Sequence, residues 1–239
     1  MKKRLFALLC TLILLVGAIP SAGALAGEAN RSADILNTLG LVNGTADAGY
    51  NLTAPATRAQ AAVLLVRLAG AEDAAAADPW FAGYRDVPAW CKDAVDYATH
   101  QGWLTGVTAL DFQPNSTITA NAWCTCLLRM LGYRDKDGDF TPSDAALFAQ
   151  RIGLISVAYS GPLTRGDLFE MARDALTFSY KDGSATVIEH LVDSGCVSRS
   201  TASALGLLAP ELTARQMADQ HMAAVFRLDL YDKQEEIDA

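Results

Sequence analysis

The sequence predicts a mainly α protein built from three copies of a helix–loop–helix unit, and two observations carry that reading. First, "TRAQAAVLLVRLAG" (Thr57 to Gly70) lies without a gap over "TANAWCTCLLRMLG" (Thr119 to Gly132), so that Thr, Arg67/Arg129 and the closing Gly coincide. A looser copy, "TRGDLFEMARDAL", starts at Thr164. Second, a glycine turn precedes each copy: "LGLVNG", "QGWLTG" and "IGLISV". Gly40 and Gly102 stand at the same distance before their Thr, while Gly153 stands closer to Thr164. Two landmarks kept in register mark an internal repeat, which decides the architecture before any local feature does.

Each unit reads as helix, loop, helix. In the second, Pro88 lies near a helix start, Trp90, Ala94, Tyr97 and Ala98 recur at helical spacing, and Gly102 suits the C-terminal cap. A loop with a Pro114-Asn115 turn leads to Thr119. The following helix carries one apolar stripe, Trp123, Cys126, Leu127, Met130 and Leu131, matched in the first unit by Ala61, Leu64, Leu65 and Leu68. Thr57 with Gln60 forms a capping box, Thr164 with Asp167 a weaker one, and Thr119 with Ala122 keeps the cap alone.

The N-terminus is set apart from this pattern. Lys2, Lys3 and Arg4 precede an apolar run from Leu5 to Ile19, and Ala24-Leu25-Ala26 offers a small-x-small cleavage site. Residues 1–26 are read as a secretory signal peptide, too short in its apolar part to favour a membrane span, which leaves an exported mature chain with no membrane insertion. The whole chain carries 19 Lys and Arg against 27 Asp and Glu, a net charge of −8, and losing the leader makes it more negative. Such a balance argues against nucleic acid and against an anionic membrane; an anionic ligand would need a local basic pocket.

Caps explain the Thr residues but not the Arg residues that follow two of them. Arg58 and Arg165 sit in the first helical turn, where a cation opposes the helix dipole by roughly 0.3–1 kcal/mol. Two explanations stand side by side: an anion held by the Arg with the exposed first-turn N–H groups, or an ion pair with an Asp of a neighbouring helix.

With "YRDVPAW" (Tyr84 to Trp90), "GWLTG" (Gly102 to Gly106), "FQPN" (Phe112 to Asn115), "TRAQ" and "TRGD" in order, the chain resembles the S-layer homology (SLH) repeat, from about Ser32 to Phe178. The resemblance implies three units, at about 32–70, 84–133 and 140–178, packed in a pseudo-threefold bundle. It also implies binding to secondary cell-wall polysaccharide, often through a pyruvylated sugar, and hence a cell-wall location. Carried over, Arg58 and Arg165 become carboxylate binders beside Thr57 and Thr164, Asp86 and Trp90 become groove walls, and Gly106 lets sugar approach the backbone. Ala120 stands where the second unit would carry its Arg, so that pocket is expected to be weak or dead.

Other features point to no chemistry. Asp135, Asp137 and Asp139 alternate like a calcium loop but lack its later Gly and Glu, which favours a solvated turn. No histidine spacing suits a metal, no cofactor is implied, and no nucleophile elbow, Walker loop or dinucleotide fingerprint appears, so a non-catalytic protein is expected. Trp103 and Trp123 are read as core, and Cys91, Cys124, Cys126 and Cys196 as buried free thiols, with a Cys91–Cys124 bridge as the alternative. Residues 179–239 form a C-terminal extension: two short helices joined at Gly195, a capping box at Thr213 and Gln216, and a terminal strand from Val225 to Asp232. That tail resembles the start of a trypsin-like serine protease domain. It leaves two alternatives to wall binding by the chain itself: a truncated wall-anchoring part of a surface protease, or a structural helical module that binds protein partners.

Overall fold

The computed structural model describes residues 22–44 and 49–209. The fold is mainly α. The principal helices are α1 (Ala22–Thr38), α2 (Arg58–Leu68), α3 (Glu72–Ala77), α4 (Lys92–His100), α5 (Ala120–Met130), α6 (Ala145–Arg151), α7 (Arg165–Leu176), α8 (Val187–Asp193) and α9 (Arg199–Ala204). Most of the leader, the Thr213–Gln216 box and the Val225–Asp232 strand lie outside the described residues; Ala22 to Ala26 form the start of α1. Among the described residues no helix is long and apolar enough to cross a membrane.

Local signals place the helix ends as the sequence indicates. Thr57, Thr164 and Thr186 each close a full capping box, with Gln60, Asp167 and Glu189 as partners, and Thr119 caps without a box. The boxes at Thr164 and Thr186 show that a carboxylate serves the return bond as well as Gln60 does. Gly40, Gly102 and Gly153 all take positive φ (77, 74 and 81°), which ends each unit's first helix where a Cβ would be strained.

The three units do not pack as self-contained hairpins. The first helix of each lies on the second helix of another: α1 on α7, α4 on α2, and α6 on α5. This interleaving is closed by a ring of backbone hydrogen bonds just before the three caps. Ala56 N–H donates to Leu163 O, Leu163 N–H to Ile118 O, and Ile118 N–H to Ala56 O, each at 2.9 Å. The ring residues are equivalent by repeat register and all buried, which gives the bundle its pseudo-threefold axis.

The core follows the predicted stripes, with one correction. Trp123, Leu127, Leu128, Leu131, Leu64, Leu65 and Leu68 are buried, and Trp103 is half-buried. Trp90 is not in the α4 stripe; it sits on a 3₁₀ turn (Ala89–Cys91) and is 62% exposed. Cys91, Val95 and Ala98 fill the stripe instead. The turn shifts the helical phase by its tighter winding, so a residue before α4 cannot be counted on the α4 face.

All four cysteines of the described region are free. Cys91 and Cys124 are buried as expected, Cys126 is half-buried, and Cys196 is exposed, which corrects the expectation for that residue. Burial pushes the Cys124 thiol up to about 12 and the Cys126 thiol up to about 11. Brief iodoacetamide treatment of the folded protein, followed by peptide mass spectrometry, should therefore modify Cys196 and leave the other three intact.

The acidic turn is stabilised by cations of the protein. Arg129 grips Asp135 through two bonds (2.9 and 2.7 Å), and Lys181 reaches Asp139 at 2.6 Å. Those hydrogen bonds hold both carboxyls below the usual range, as Thr186 does for Glu189. A carboxylate lowered in the folded chain adds stability above its unfolded value, about pH 4, and that contribution disappears as pH falls through the folded value. Glu170, raised by burial, works in the opposite direction. The melting temperature should thus hold steady down to about pH 5 and drop below about pH 4, as read by circular dichroism.

Candidate functional site

The helix-start arginines lie between units. Arg58 opens α2 and reaches into the second unit: its Nε donates to Phe112 O and its Nη2 to Thr105 O, each at 2.9 Å, and its guanidinium lies 4.6 Å from the Phe112 ring centroid. Arg165 opens α7 and reaches into the first unit, donating from Nε to Tyr50 O at 2.8 Å. Phe112 and Tyr50 are equivalent in the repeat, so one contact is used twice. Each accepting residue is followed by a left-handed non-glycine, Gln113 (φ 58°) or Asn51 (φ 48°). That conformation is uncommon outside glycine; Asn adopts it more readily than most residues, whereas Gln113 carries no such signal.

Among the described residues neither Arg has a carboxylate at ion-pair distance; Asp86 acts on Arg58 only from farther off, and Arg165 feels desolvation alone. The contrast with the later Arg that the first two copies share is direct. Arg67 pairs with Glu72 at 2.7 Å and Arg129 with Asp135. Desolvation by burial lowers the pKa of both Arg58 and Arg165, the mark of a cation partly withdrawn from water without full compensation.

The first-turn N–H groups are not exposed, contrary to expectation. Arg58 N–H and Ala59 N–H donate to Ser116 O and Pro114 O, while Arg165 N–H and Gly166 N–H donate to Ala54 O and Leu52 O. The cap hydroxyls of Thr57 and Thr164 take the next ones. Carbonyls of the adjoining unit's loop thus satisfy groups that would otherwise serve an anion. Any anion must be held by the guanidinium itself.

The other expected site residues separate. Asp86 accepts from Phe112 N–H and Gln113 N–H at 2.8 and 2.7 Å, so its oxygens clamp the loop that receives Arg58. Desolvation raises its pKa, but those backbone bonds outweigh it and the net shift is downward. Gly106 is half-buried, and its backbone N–H is already taken within the protein. Its N–H donates to the Tyr84 hydroxyl at 2.7 Å, and a Cβ there would lie 2.4 Å from Tyr84 Cε1 and 2.5 Å from Thr108 O. Gly106→Ala should cost about 1–3 kcal/mol in urea unfolding through overpacking.

Trp90 instead joins Arg165. A groove of about 110 Å³ lies between α2 and α7, and Arg165, Trp90, Asn43, Gln60 and Arg67 are among the residues that line it. The space closed by Arg58 is only about 10 Å³ and apolar, lined by Leu65, Leu104, Phe112 and Cys126. The two arginines are therefore unequal: Arg58 braces a filled interface, and Arg165 borders an open one. Arg58→Ala should lower stability by about 1–3 kcal/mol by leaving the buried Phe112 carbonyl unpaired, again read in urea. At the third junction Ala120 is buried and its N–H donates to Gly161 O, so the scaffold contact persists without a cation.

Two relatives bear on what such a groove is for. The chain is 31% identical over 166 residues to a "Cell surface protein" of Thermoanaerobacter kivui, covering 66% of this chain and 21% of that protein. It is 29% identical over 145 residues to a "Middle cell wall protein" of Brevibacillus brevis, covering 59% of this chain and 14% of that protein. The similarity is to proteins of the bacterial cell surface. The chain spans about a fifth or less of the length of these relatives. No family model matches the chain.

Proposed function

We propose that this is an exported, non-catalytic cell-surface protein of the SLH type, which attaches non-covalently to an acidic secondary cell-wall polysaccharide. The observation that carries this reading is Arg165. It is a half-buried guanidinium with no carboxylate partner among the described residues, in a groove that also presents a mostly exposed Trp. A ligand carboxylate, such as the pyruvate ketal of a pyruvylated sugar, supplies the missing counter-charge, and a sugar face covers the Trp90 ring. The surface-protein relatives are consistent with a wall partner. A protein already acidic overall gains selectivity this way, because only a ligand that reaches the recessed cation escapes general repulsion.

Calorimetric titration of the mature chain with purified wall polysaccharide, before and after its acidic substituents are hydrolysed, tests the proposal. Binding is expected only before hydrolysis, and Trp90→Ala should weaken it by up to about tenfold. Equal binding to both forms would remove Arg165 from recognition. Binding confined to a surface protein would favour the structural-module reading.

A further inference from the structure

A second cleft lies at the far end of the bundle. It opens beside the C-terminal ends of α2 and α5, about 16 Å along those helices from the backbone ring. Its volume is about 370 Å³. The lining combines Ala69, Ala71 and Met130 with four rings, Tyr97 and Trp103 from the second unit and Tyr180 and His190 from the C-terminal extension, which also contributes Ser184 and Ala185. Tyr97 meets Trp103 edge to face at 5.8 Å, and Tyr180 meets His190 at 5.6 Å.

The extension is fixed to the repeats where it lines this cleft. Lys181 N–H donates to Leu131 O at 2.9 Å, and His190 Nε2 lies 3.2 Å from Ala69 O. The Tyr97 and Tyr180 hydroxyls and the Trp103 indole N–H have no hydrogen-bond partner among the described residues, although all three side chains are half-buried. No Lys, Arg, Asp or Glu lines the cleft.

From this geometry we infer a second ligand site, for a neutral sugar residue, formed jointly by the repeats and the C-terminal extension. With no Lys or Arg in the lining, His190 is the one side chain there able to carry a positive charge, so an anionic ligand finds no permanent counter-ion. A purely apolar ligand would bury the free hydroxyls and indole N–H unpaired, at about 1–3 kcal/mol each. A neutral sugar meets both demands: its C–H face covers an aromatic ring while its hydroxyls pair with the three free groups. Burial raises the Tyr180 pKa, which keeps that hydroxyl a neutral donor.

The test uses the mature chain with ¹⁵N-labelled tryptophan and follows the Trp103 indole N–H by NMR. Probes are galactose, N-acetylglucosamine and N-acetylmannosamine at high millimolar concentration, with glucuronate as the anionic comparison. At least one neutral sugar should give a saturable shift that glucuronate does not. The double variant Tyr97→Phe/Tyr180→Phe, which keeps both rings, should weaken it about tenfold. Arg165→Ala should leave it unchanged, which separates this site from the groove between α2 and α7. The inference is overturned if no neutral sugar shifts the signal, if glucuronate binds as well, or if the double Phe variant binds like the parent.

Discussion

Arg165→Ala is expected to weaken binding to isolated wall polysaccharide by roughly tenfold to a hundredfold while leaving the fold intact. The size follows from losing a charge-assisted contact, about 1.5–3 kcal/mol. The selectivity follows from what Arg165 does in the protein. It donates one bond to Tyr50 O and packs 5.3 Å from the Phe169 ring centroid, but Tyr50 is only half-buried where Phe112 is buried, so the lost bond should cost less than at Arg58. Arg165→Lys should recover only part of the loss, because an ammonium cannot bond Tyr50 O and a ligand carboxylate in the same fork. Arg58→Ala provides the comparison, since its cost is expected in stability rather than affinity. If the two variants lose affinity equally, the assignment of Arg58 as a brace is wrong.

Trp123→Ala should give the largest loss of stability, about 3–5 kcal/mol, or roughly 10 °C in melting temperature for a domain of this size. The side chain is completely buried on α5, in the core shared by the repeats. Its indole N–H has no hydrogen-bond partner among the described residues, so the contribution comes from packing. Trp123→Phe should accordingly cost much less, because it keeps most of the apolar volume and removes an unpaired donor. Equal losses from Ala and Phe would mean that the indole N–H is satisfied and that the core reading is incomplete. Calorimetry of both variants distinguishes the cases.

What the sequence shows is what neighbours in the chain decide. Thr57, Thr119 and Thr164 cap helices through residues three positions away, and Gly40, Gly102 and Gly153 end them by backbone freedom alone. The arrangement of units is different. That α1 packs on α7, and that Leu52 and Pro114 carbonyls occupy the first-turn N–H groups, depends on segments far apart in sequence. Arg67 and Arg165 look alike as letters, yet among the described residues one meets Glu72 and the other meets no carboxylate. Asn51 and Gln113 take a glycine-like conformation with no glycine to announce it. Helical spacing alone assigned Trp90 to the core, because the 3₁₀ turn that leaves it exposed beside the groove is not written in the spacing. Gly106 shows the reverse: the position was legible, but its neighbour Tyr84 gives it an internal role.

The most direct measurement is co-sedimentation of the protein with native walls and with walls stripped of secondary polysaccharide, for the parent and for Arg165→Ala. The parent protein should pellet with native walls and stay in solution with stripped ones, and Arg165→Ala should stay largely in solution with both. Parent protein that pellets equally with stripped walls, or an Arg165→Ala variant that pellets like the parent, would contradict attachment through an acidic glycan at this groove.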